Sequence, residues 1–159
     1  MKKVFVSLCA VCVLAVGCVT LEGDNGGVDT RPVAADGTRL NRIPGTESIP
    51  IPNGLTDVQV LDAVESAIKG TGAGDRNIYW VSQWRVENRD PANKWVQVVL
   101  TARAHILHVC YRIENGALIP DVPSSSNLKQ NGTRIHRKVP QWINQLNVLI
   151  SSRLYELKK

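Results

Sequence analysis

The chain has 159 residues, 43% of them hydrophobic, and 19 Lys and Arg stand against 14 Asp and Glu for a net charge of +5. The basic residues are scattered, with short clusters only at Arg134 to Lys138 and at Lys158–Lys159. A nucleic-acid interface needs a concentrated basic patch, so nucleic acid is not an expected partner.

Met1, Lys2 and Lys3 make a short basic start, and Val4 to Val16 is apolar apart from Ser7. That run is too short to span a bilayer as a helix, which takes about 20 residues. A basic start, a short apolar run and small residues at its exit describe a secretory signal. The exit reads Leu14-Ala15-Val16-Gly17-Cys18. It resembles the bacterial lipoprotein signal, in which the cysteine is diacylated and becomes the new amino terminus. On that reading residues 1–17 are signal peptide and Cys18 is the lipidation site. An ordinary secretion signal cut elsewhere, or a short membrane anchor, are the competing readings. Loss of Lys2 and Lys3 leaves 17 basic and 14 acidic residues, a charge of +3. Of the four cysteines, Cys9 and Cys12 would leave with the signal and Cys18 would carry lipid. Cys110 then stands alone, and no intramolecular disulfide is expected. Set among Val109, Tyr111 and Ile113, it reads as a small buried residue rather than a reactive thiol.

Residues 18–54 read as the lipidated cysteine followed by a flexible tether. They are rich in Gly, Asp, Thr and Pro, with Gly26-Gly27, Pro32, Pro44, Pro50 and Pro52, and no period persists. Such composition does not bury enough apolar surface to offset the entropy of ordering. A linker of this kind has an end-to-end distance on the order of 30 Å, which would hold a domain clear of the lipid headgroups. Residues 55–159 are then a single domain, near the common size of about 100 residues.

The domain is expected to open with a helix. Thr56-Asp57-Val58-Gln59 has the pattern of a capping box. Val58, Leu61, Val64, Ala67 and Ile68 share one face at helical spacing, and Gly70 is placed to end it. The period then changes to two. Ile78 to Val86 predicts a strand with Ile78, Trp80, Trp84 and Val86 on one face, and Asn88 to Asn93 a turn. Trp95 to Ala102 predicts a second strand with Val96, Val98, Leu100 and Ala102 facing one way. A bend near Arg103 to His105 leads to a third, in which Leu107, Val109, Tyr111 and Ile113 alternate with His108, Cys110 and Arg112. Asn115-Gly116 is a strong hairpin signal. Ala117 to Val122 predicts a fourth strand, which Pro120 pushes to an edge. Val139, Trp142, Ile143, Leu146, Leu149, Ile150, Leu154 and Leu157 recur at helical steps, with Pro140 in the first turn. The expected fold class is α+β: an antiparallel sheet of three to four strands covered on one face by two helices, in two layers.

Three stretches, Leu100 to Ile113, Ser125 to Leu128 and Ile135 to Leu146, carry a family resemblance. The chain resembles a group of small exported bacterial lipoproteins whose pattern is L-x-x-R-x-H, then S-x-N-L, then I-H-x-x-Y-N-x-W-I-x-N-L. It matches at Leu100, Arg103, His105, Ser125, Asn127, Leu128, Ile135, His136, Trp142, Ile143 and Leu146. It departs at Val139 and Pro140, where the pattern has Tyr-Asn, and at Val122, often Tyr. The resemblance covers about residues 80–154 and implies a shared fold and an envelope location, without an activity. Val19 after Cys18, in place of Asp, resembles the outer-membrane sorting rule and implies a periplasm-facing domain.

Arg103, His105, Ser125, Asn127 and His136 are the candidate binding residues, and three readings compete for them. In the first they are structural, satisfying orphan backbone groups at strand ends and the helix start. In the second they converge at one end of the sheet and offer donors to a polar or anionic ligand, with peptidoglycan, a peptide or another envelope protein as partner classes. In the third Ser125 with His105 or His136 makes a small envelope hydrolase. That chemistry needs an orienting acid and an oxyanion hole; no G-x-S-x-G elbow is present and Asp121 is the one carboxylate nearby. A metal is not expected either. His105 and His108 on one strand would face opposite ways, and Ser and Asn are poor zinc partners. No cofactor is expected, and binding or assembly is preferred to catalysis.

Overall fold

A computed structural model describes residues 19–20, 39–69, 84–102, 105–123, 134–135 and 138–159. Its elements are β1 (Val19–Thr20), β2 (Leu40–Arg42), β3 (Ile49–Pro50), α1 (Asp57–Lys69), β4 (Trp84–Asp90), β5 (Trp95–Ala102), β6 (His105–Glu114), β7 (Ala117–Pro123), β8 (Arg134–Ile135) and α2 (Val139–Glu156). The main sheet is antiparallel in the order β2-β7-β6-β5-β4, with β3 also paired to β7. β1 and β8 form a separate antiparallel pair.

The fold is α+β, as the pattern predicts, but the main sheet has six strands where three to four are expected. The extra two come from the segment expected to be tether. Leu40 pairs with Pro123, Arg42 with Asp121, and Ile49 with Leu118. Leu40, Ile43 and Ile49 are buried. The composition argument for a tether fails here because β7 supplies a ready ladder. Three apolar residues then suffice to fix a segment that has no period of its own. The domain therefore begins near residue 39 and not at 55.

The same pairing corrects the place of β7. It is flanked by β6 on one side and by β2 and β3 on the other. Pro120 is tolerated because the outer ladder is interrupted opposite it: β2 pairs at 121–123 and β3 at 117–118, while residues 43–48 leave the edge. The β6–β7 hairpin turns at Asn115 and Gly116, with φ of +50° and +75°, the left-handed pair that a two-residue turn with this twist requires.

The α1 capping box forms as expected. The Thr56 backbone N–H donates to Gln59 Oε1 at 2.9 Å, and the Gln59 N–H donates to Thr56 Oγ1 at 3.3 Å. The buried stripe is Val60, Leu61, Ala63, Val64, Ala67 and Ile68; Val58, expected in it, is half exposed. In α2 the buried residues are Val139, Trp142, Ile143, Leu146, Asn147, Ile150 and Leu154, while Leu157 is exposed. Both helices share one core with Trp84, Val96, Val98, Leu100, Leu107, Val109, Tyr111, Leu118 and Val122 of the sheet. A second, small cluster of Leu40, Trp95 and Cys110 lies on the other face, since Trp95 and Cys110 alternate with core residues along their strands.

β4 runs on through Asp90 into the expected turn region, and the chain reverses at residues 91–94. A bulge makes this possible. Val86 pairs with Val98 and Asn88 with Gln97, leaving Glu87 as the extra residue. Beyond it Arg89 faces the helices and bonds Asp62 at 2.7 Å and Glu65 at 3.0 Å on α1.

Candidate functional site

Cys18, Arg103, Ser125, Asn127 and His136 lie outside the described residues, so their convergence lies outside them too. His105 is placed by its backbone, opening β6 opposite Ala102. The chemistry that is described lies at three other places.

The first is the sheet face opposite the helices. Cross-strand register sets His108 beside Val99, and Cys110 between Gln97 and Asp121. The β4 bulge presents Glu87 to this face. Its Oε2 accepts from Gln97 Nε2 at 2.8 Å and lies 2.6 Å from His108 Nδ1. Burial pushes the Glu87 carboxyl up, but the hydrogen bonds from Gln97 and His108 and the imidazole beside it outweigh that, and it titrates below its ordinary 4.5. Toward the β2 edge, Asp121 Oδ2 accepts from Arg112 Nε at 3.0 Å and Nη2 at 2.7 Å. Arg42 stands 3.8 Å from the other oxygen, and Arg112 also reaches Glu114 at 3.2 Å. Asp121 is almost fully buried. Burial is the largest influence on its carboxyl and raises it above the ordinary 3.8 in spite of Arg112. Both clusters tie strands together. Glu87 links β4, β5 and β6, and Asp121 links β2, β7 and β6.

Sequence reading treats His108 only as a failed metal partner of His105 and does not connect it to Glu87. Part of the second cluster has a signal in the sequence. A two-residue turn at Asn115-Gly116 sets Glu114 opposite Ala117 and Arg112 opposite Ile119, so Asp121 falls diagonal to Arg112, within reach of a long side chain. The Glu87 pair has no such signal, because it depends on the bulge.

The second place is a cleft of about 210 Å³ between residues 47–50 and α2, lined by Glu47, Ser48, Asn144, Asn147, Val148 and Ser151 among others. Asn144 Nδ2 donates to the Gly45 carbonyl at 2.8 Å, and Asn147 Nδ2 to the Glu47 carbonyl at 2.8 Å. The Tyr111 hydroxyl, fully buried, donates to Asn147 Oδ1 at 2.8 Å; burial also raises its pKa. This network fastens the 43–48 segment to α2. The cleft is smaller than the roughly 300–1,000 Å³ of ordinary ligand pockets.

The third is a groove of about 520 Å³ lined by Asp62, Glu65, Ser66, Lys69 and Arg153. Its size suits a ligand, but its lining is polar where small-molecule pockets are mostly apolar. Asp62 and Glu65 are held by Arg89. Among the described residues no group of three or more His, Cys, Asp and Glu could hold a metal ion, and no helix is long and apolar enough to cross a membrane.

No family model and no curated protein matches the chain.

Proposed function

We propose that the protein is a lipid-anchored component of a bacterial cell envelope, carried by Cys18 in the outer membrane, with an α+β domain facing the periplasm that acts by binding or assembly. The observation that carries the reading is the segment from Met1 to Cys18: a basic start, a short apolar run and a Gly17-Cys18 exit. Two features support it. The first strand of the described main sheet, β2, begins at Leu40, downstream of the cysteine in sequence. The resemblance of the Arg103, Ser125 and His136 stretches to small exported lipoproteins points to the same compartment.

A binding role is preferred because the described charged groups of the sheet face are arranged as ties between strands. The candidate binding residues remain Arg103, His105, Ser125, Asn127 and His136, and the partner classes another envelope protein, a peptide or peptidoglycan. Fractionation of cells expressing Cys18→Ala tests the anchor. The variant is expected either to leave the membrane fraction or to persist as unprocessed precursor. Unchanged membrane association together with unchanged processing would refute the reading.

A further inference from the structure

The cleft between residues 47–50 and α2 offers polar groups that the fold does not use. Among the described residues the Glu47 carboxylate and the Ser48 and Ser151 hydroxyls have no hydrogen-bond or ion-pair partner. Glu47 and Ser48 are exposed and Ser151 is half-buried. Ser152 donates to the Val148 carbonyl at 3.1 Å, as serines inside helices often do. Ser151 makes no such bond, and its hydroxyl is left to the cleft. Asn144 Nδ2 gives one N–H to the Gly45 carbonyl and has a second to offer. The frame around these groups is fixed. Asn144 and Asn147 fasten residues 45–47 to α2, and Tyr111 holds Asn147 from within the core.

An apolar surface lies on the same helix face. Val148, in the lining, is 65% exposed, and Tyr155 is 56% exposed. Positions 148, 151 and 155 of α2 follow one another at helical spacing. Tyr155 stands about 6 Å farther along the axis than Ser151. Side chains on a helix lean back toward its amino terminus, so the Tyr155 ring inclines toward the cleft.

This chemistry selects among ligands. Among the described residues no Lys, Arg or His lines the cleft, so an anion meets no counter-charge there. An extended peptide would add as a strand to β3, but β3 has two residues and Pro50 has no N–H to give. The larger groove on α1 is different in kind. Asp62 and Glu65 are paired with Arg89, Lys69 with Glu65, and Arg153 with Glu156, so a ligand there would have to break pairs already made. A volume of about 210 Å³ suits one small ring. The ligand that fits is neutral, rich in hydroxyls and apolar on one face, which describes a sugar. Its hydroxyls suit carboxylate, hydroxyl and amide partners, and its C–H face can lie on a tyrosine ring.

We propose that this cleft binds a neutral sugar unit of a glycan chain, with Glu47, Ser48, Asn144 and Ser151 bonding its hydroxyl or acetamido groups and Tyr155 packing on its ring face. The proposal rests on the binding role proposed above, names its ligand class, and assigns it to residues other than the Arg103 and His136 set.

The test titrates the detergent-extracted full chain with the β-1,4-linked tetramer of N-acetylglucosamine, read by isothermal titration calorimetry. Saturable binding is expected. Tyr155→Ala should weaken it by about tenfold or more, whereas Tyr155→Phe keeps the ring and should keep the affinity. Ser151→Leu fills the cleft and should abolish binding. Glu65→Gln, in the groove on α1, should change nothing. Absence of saturable binding overturns the proposal, as does binding that survives both Tyr155→Ala and Ser151→Leu. Binding that survives those two but is lost in Arg103→Ala moves the role to the set read from sequence. Trialanine that binds more tightly than the sugar, and is lost in Ser151→Leu, overturns the proposal in favour of a peptide. The isotherm is read whether or not Cys18 carries lipid. Its failure therefore leaves the anchor standing, and a processed chain without lipid leaves the cleft standing.

Discussion

Asn147 is a buried side chain that ties α2 both to the sheet and to the 43–48 segment. It accepts from the Tyr111 hydroxyl and donates to the Glu47 carbonyl. Asn147→Ala leaves a fully buried hydroxyl without this acceptor and removes one tie to the 43–48 segment, which Asn144 still holds, at a cost of about 1–3 kcal/mol. Adding Tyr111→Phe should return part of that loss, because no orphaned hydroxyl then remains; urea denaturation of the three variants reads it. Glu87 gives a second expectation. Its folded pKa lies below 4.5, so its pairing adds stability that is present above the ordinary value and is lost as pH falls through the folded one. Asp121 has the opposite sign. Its carboxyl lies above 3.8 when folded, so its contribution favours folding below the ordinary value and is lost as pH rises through the folded one. His108→Ala removes a hydrogen bond and a neighbouring imidazole from Glu87. Followed by carbon NMR, that carboxyl should titrate at higher pH in the variant. An unchanged midpoint would mean that Gln97 and Arg85 hold it down without His108.

At the scale of elements, local signals were read well and long-range pairing was not. The Thr56–Gln59 box, the Asn115-Gly116 turn and the α2 stripe around Trp142 each rest on residues a few positions apart, and each forms. β2 and β3 have three and two residues, too few to show a period, and their stability comes from a strand about 70 or more positions away that supplies the ladder. Nothing in Leu40-Asn41-Arg42 itself announces that partner. The bulge at Glu87 is similarly invisible before the β4–β5 register is known, and it moved the expected turn from Asn88 to Pro91. Of the candidate site, the residue types were legible from spacing and resemblance, but their assembly depends on loop closure between segments, which spacing does not encode. The corrected boundary makes a direct prediction. A chain beginning at residue 38 should fold, whereas one beginning at residue 54 loses Leu40, Ile43 and Ile49 from burial. At about 1.5–3 kcal/mol for each aliphatic side chain, that loss rivals the 5–15 kcal/mol stability of a whole domain. The shorter chain should be unfolded or barely folded by circular dichroism. A melting temperature matching the longer chain would restore the tether reading.

At the scale of the molecule, a sheet with two helices on one face and ion-paired polar ties on the other has its amino-terminal end drawn back onto residues 134–135. The proposed envelope role rests on what becomes of Cys18. The intact mass of the processed chain, extracted from membranes with detergent, measures that directly. The account predicts a polypeptide that begins at Cys18 and carries diacylglycerol on it. A processed chain that begins at another residue and carries no lipid would contradict it.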